Sequence, residues 1–153
     1  MNDIEELKKI VDIYIENKSS LSQYYSMCIG VFPELAPQFS VLSEAKKDQA
    51  ELFIKIKTSV EQSPQKWAMG SFDLRILQFI SEQIKTNLDH MLGESPNSWK
   101  IQSFINDIEN SLAETEFYRA LKTDIPEFEK LFDKMMKSSA AHRKVLADIL
   151  QKI

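Results

Sequence analysis

A faint internal repeat constrains this chain more than any other feature. Ile15-Glu16-Asn17 returns as Ile108-Glu109-Asn110, an offset of 93 residues. Tyr25 returns as Tyr118, Pro33-Glu34 as Pro126-Glu127, Phe39 as Phe132 and Ile56 as Ile149. Like replaces like at Tyr24 and Phe117, Phe32 and Ile125, Leu42 and Met135, Phe53 and Leu146. Eight identities fall in 42 positions aligned without a gap. They sit at helix-packing positions and at a shared turn, so the repeat predicts one helical hairpin used twice.

Periodicity places the helices. The first is predicted over about Asp3–Ile29, with Asn2 and Glu5 as a capping box and Gly30 as its stop. Its inward stripe is Leu7, Ile10, Val11, Tyr14, Lys18, Leu21, Tyr25 and Cys28. The second, about Gln38–Gln62, turns Phe39, Leu42, Lys46, Gln49, Phe53, Ile56 and Val60 inward. Each step is three or four residues, the period of one helix face. Ser63–Gly70 reads as a linker, and about Phe72–Leu92 as a crossover helix carrying Leu77, Ile80, Ile84, Leu88 and Met91. A fourth helix is predicted over about Ser98–Lys122, with Ile101, Phe104, Ile108, Ser111, Thr115, Tyr118 and Leu121 inward. The last runs from a capping box of Asp124 and Glu127 to the C-terminus, with Phe128, Phe132, Met135, Ser139, His142, Leu146 and Ile149 inward. The whole reads as one domain: hairpin 1 over about 3–62, crossover helix about 71–92, hairpin 2 about 98–152.

Composition removes several function classes. A chain of 153 residues supports one sizeable core. Its net charge of −4 leaves no basic face for nucleic acid or an anionic membrane. No apolar run approaches the ~18 residues of a membrane span. The charged Met1–Lys9 segment does not read as a signal peptide, and the lone Cys28 fits a reducing, cytoplasmic setting. No phosphate loop, zinc-ligand spacing or Ser/His/Asp context occurs.

The paired words Tyr24-Tyr25 and Phe117-Tyr118, Phe32-Pro33-Glu34 and Ile125-Pro126-Glu127, Leu42-Ser43-Glu44 and Ala141-His142-Arg143 carry a resemblance. Over about residues 10–58 and 100–151 the chain resembles the rubrerythrin branch of the ferritin-like superfamily. The resemblance implies an all-α, antiparallel four-helix bundle of two hairpins with an additional helix in the crossover. It also implies where a di-iron or manganese centre would sit. There the family uses a glutamate on one helix of each hairpin and Glu-x-x-His on the other. Carried over, those positions are Lys18, Lys46, Gln49, Ser111, Ser139 and His142. Only His142 keeps a ligand type, and an ammonium repels a metal cation. The expectation is a bundle without a metal centre or cofactor, serving as a binding or assembly module. The alternative is a ferritin-like oxidoreductase or metal-handling protein with a relocated di-iron or manganese site. Glu16, Glu44, Glu51 and Glu109 lie one or two positions off the inward stripes and are expected to face elsewhere.

The same six residues, with Glu114 as internal counter-charge, are expected to form a polar layer across the bundle. Lys18 and Lys46 have three readings: snorkelling or pairing with Glu114, an activated amine, or a pocket for a small anion. His142 reads as a hydrogen-bonded interior histidine, and Cys28 as core filling. Beside the crossover stripe lie Phe72, Ile76 and Phe79, a candidate surface for a homodimer or another protein. The rival is that the linker around Trp67 and Trp99 folds back over it.

Overall fold

The computed structural model describes residues 3–71, 74–93, 97–111 and 120–153. Among the described residues the chain is all-α apart from one short ribbon. Its helices are α1 (Asp3–Val31), α2 (Ala36–Gln62), α3 (Leu74–Gly93), α4 (Ser98–Glu109) and α5 (Pro126–Lys152). Strands β1 (Trp67–Met69) and β2 (Leu121–Thr123) pair antiparallel, with Trp67 opposite Thr123.

The α1 and α2 stripes close on each other as periodicity predicts, and every residue of both is buried. Tyr14 stacks on Phe53 at 4.6 Å between ring centroids, and Phe39 lies beside both Tyr25 and Phe32. Between these layers Ser22 and Ser43 face each other, each hydroxyl bonding the other's carbonyl at 2.9 Å. Two small side chains at this level let the helices approach closely. Each large apolar side chain buried here contributes about 2 kcal/mol. The core, not its few polar members, therefore carries the stability.

α3 packs along α1, and an exposed Lys85–Glu16 pair at 3.2 Å links them. α4 reaches α1 through Tyr24 and Phe104, whose ring centroids are 4.7 Å apart. It reaches α5 through Gln102, which donates to the Leu150 carbonyl at 3.0 Å. α5 lies against α2, where Gln38 donates to Asp148 at 3.0 Å.

Helix ends depart from expectation in three places. α1 continues through Gly30 to Val31, because no positive-φ glycine cap forms and Pro33 supplies the stop. α5 is capped by Ile125, not by an Asp124 box. Pro126 at its first position holds Ile125 extended (ψ 115°) and moves the start past Asp124. α4 begins at Ser98 as expected, after Asn97, whose side chain accepts from Trp99 and Lys100 backbone N–H groups. The largest departure is that α4 stops at Glu109, well short of Lys122. Asn110 and Ser111 turn their side chains onto the Asn106 and Ile108 carbonyls, competing with helix continuation. Leu121–Thr123 then serves as a strand, because the presumed linker at Trp67–Met69 offers it an edge.

Late in the repeat two pairs keep their burial, while the helix leading into its second copy is out of phase with the first. Phe53 and Leu146 are both buried, as are Ile56 and Ile149. In α4, however, the buried stripe is Ile101, Phe104, Ile105 and Ile108. That matches Leu7, Ile10, Val11 and Tyr14 of α1 with a shift of one residue from the repeat register. One residue is about 100° of helix rotation. Asn17 is consequently buried while its repeat partner Asn110 is exposed.

Candidate functional site

That rotation changes the chemistry of the interior. Glu109 is the fourth residue after Ile105, so it extends the second inward stripe of α4 instead of facing outward as expected. Its side chain is only 14% exposed. The Lys46 ammonium of α2, with its side chain 6% exposed, lies 3.1 Å and 3.2 Å from the two carboxylate oxygens. The Tyr25 hydroxyl of α1 donates to the first of those oxygens. Three helices thus meet at one part-buried carboxylate. At this separation and an effective dielectric near 20, the pair attracts by about 5 kcal/mol before desolvation offsets most of it.

A cavity of about 200 Å³ opens beside the pair. Gln49 from α2 and Ser139, His142 and Arg143 from α5 line it, over a wall of Leu42, Met136 and Leu146. His142 is half-buried. Burial first, and then the charge of Lys46, hold its ring below the usual imidazole pKa; Glu109 and Asp48 oppose this. The ring is therefore neutral at neutral pH. Gln49 is 8% exposed, and its Oε1 atom is buried without a hydrogen-bond partner among the described residues. An orphaned amide is unusual in an interior, where polar groups are normally paired.

Of the sequence-predicted polar layer, Lys46, Gln49, Ser139 and His142 come together at this cavity. Ser111 does not. Its hydroxyl bonds the Ile108 carbonyl at 2.7 Å, and it lines a separate groove between α3 and α4. Lys18 is 1% exposed on α1, about two helical turns before Tyr25. Glu114 lies outside the described residues, and the described counter-charge of Lys46 is Glu109. The sequence signal for Glu109 was Ile105, whose spacing defines a second stripe ending at Glu109.

Cys28 is buried, and burial pushes its thiol up to about 12. It is core filling rather than a nucleophile at neutral pH. Trp67 is also internal, donating to Ser59 at 2.9 Å and meeting Phe128 edge to face. Trp99 is 72% exposed and shares an open groove of about 440 Å³ with Phe79, itself 62% exposed. The linker therefore does not bury Phe79 within one chain. Ile76 is also exposed, and Phe72 lies outside the described residues.

Among the described residues no group of three His, Cys, Asp or Glu side chains is placed to hold a metal. Among the described residues the cavity offers one carboxylate already held by an ammonium, one imidazole, one hydroxyl and two amides. That donor set does not fit a pair of iron or manganese ions, which need several anionic oxygens. No described helix is long and apolar enough to cross a membrane. No protein-family model matches the chain, and no curated protein or solved structure matches it.

Proposed function

We propose that this chain is a ferritin/rubrerythrin-like four-helix bundle that has exchanged its di-metal centre for a polar interior, and that it works as a non-catalytic binding module. The observation carrying this reading is the Lys46–Glu109–Tyr25 cluster. A metal entering here would have to displace a buried ammonium from the only carboxylate lining the cavity among the described residues. Lys18, also buried, adds a second cationic side chain to the positions that the family resemblance assigns to metal ligands.

A relocated iron or manganese site is the second reading. It is favoured by Glu109 and His142 lining the same cavity. Elemental analysis of protein purified without added metal separates the two. The binding-module reading expects no stoichiometric iron or manganese, and no saturable absorbance change on adding ferrous iron in air. Two metal ions per chain would overturn it.

A further inference from the structure

We propose that the cavity between α2, the end of α4 and α5 is a binding site for a small hydroxycarboxylate. This rests on the preceding reading that the interior holds a ligand pocket in place of a metal pair. Three properties of the cavity select that ligand.

The first is charge. Lys46 and Glu109 neutralise each other, and His142 is neutral at neutral pH. Among the described residues Arg143 is the remaining charged side chain of the lining, and that described lining carries a single positive charge. Its fork of donors matches a carboxylate. The ligand is therefore a monoanion whose carboxylate meets Arg143, because Lys46 is committed to Glu109.

The second is the unsatisfied amide. Gln49 lines the cavity and makes no hydrogen bond among the described residues. Its Oε1 atom is closed to solvent, so the end a ligand can meet is the Nε2 amide, which donates to a ligand hydroxyl oxygen. The Ser139 hydroxyl and the His142 ring offer further neutral partners in the same lining.

The third is size. About 200 Å³ is the share of six or seven waters in liquid. It lies below the range of drug-sized pockets. A short acid with a hydrocarbon stub fits, its stub resting on Leu42, Met136 and Leu146.

Sodium lactate is the test probe, added to the isotopically labelled full chain and followed by the Gln49 side-chain amide and His142 ring signals. The expected result is a saturable shift of both. Lactamide, which lacks the charge, should bind roughly tenfold more weakly or less, as should lactate to Arg143→Gln. Propionate, which lacks the hydroxyl, should bind more weakly than lactate to the parent, and equally to Gln49→Leu. Arg143 is exposed, so its replacement should leave the thermal midpoint unchanged. Absence of a saturable lactate shift would overturn the proposal. So would equal binding of lactamide, an unaltered affinity in Arg143→Gln, or tighter binding of inorganic phosphate at the same signals. The same sample titrated with ferrous iron keeps the two readings apart. Iron uptake would overturn the binding-module reading itself, whereas silence to both probes removes only the ligand.

Discussion

Replacing Glu109 with leucine removes the part-buried carboxylate while keeping most of its volume. Two groups lose this partner at once. The Lys46 ammonium stays where its side chain is 6% exposed, and the Tyr25 hydroxyl loses this acceptor. Breaking one side of a buried ion pair costs about 3–5 kcal/mol, and a buried hydroxyl that loses an acceptor about 1–3 kcal/mol. The two penalties do not add, because both groups bond the same carboxylate. The adjoining cavity of about 200 Å³ also lets water hydrate the ammonium. The expected loss is therefore near the low end, about 3 kcal/mol. Lys46→Met with Glu109→Leu removes both charges together and should return stability to within about 1 kcal/mol of the parent. The coupling energy from the cycle should be roughly 2–3 kcal/mol. Urea unfolding followed by far-ultraviolet circular dichroism measures each value, with an unchanged slope confirming the same transition. A Glu109→Leu loss below about 0.5 kcal/mol would place the pair among surface ion pairs and refute the reasoning. A double variant as unstable as the two single losses combined would refute it equally.

Four further outcomes are expected. His142 is held below its unfolded pKa, so the unfolded chain takes up the proton first. Its contribution to stability is intact above about pH 6.5 and is lost as pH falls below that value. His142→Gln should flatten the slope there, and identical pH profiles for parent and variant would show the ring is not desolvated. Gln49→Leu removes an orphaned buried amide and should raise stability by about 1 kcal/mol, read from the urea midpoint; a loss would mean the amide is satisfied. Cys28, with its thiol pushed up to about 12 by burial, should resist iodoacetamide in the native chain and react at the free-thiol rate in urea; rapid native alkylation would contradict its placement. The exposed Phe79, which shares a groove with Trp99, and the exposed Ile76 are expected to meet a second copy of the chain, so Phe79→Asp should reduce the sedimenting mass. A parent that sediments as a monomer at micromolar concentration would remove that expectation.

Apolar spacing alone determined that this chain is helical, where α2 and α5 lie, and which residues of α1 and α2 turn inward. Those are local properties, since a stripe recurring every three or four residues can be buried only on one face of a helix. The same spacing placed Lys46, Gln49, Ser139 and His142 near one another. Sequence could not determine the end of α4. Whether Asn110 and Ser111 continue a helix or fold onto its last carbonyls depends on what the following segment can pair with. Here Leu121–Thr123 pairs with Trp67–Met69, more than fifty residues away along the chain. Nor could the repeat show its own slip. Identical letters at Glu16 and Glu109 conceal a rotation of about 100°, which leaves one glutamate in solvent against Lys85 and turns the other onto Lys46 and Tyr25. The tertiary packing decided that rotation, because Phe104 and Ile105 must both be buried before Glu109 finds its partners.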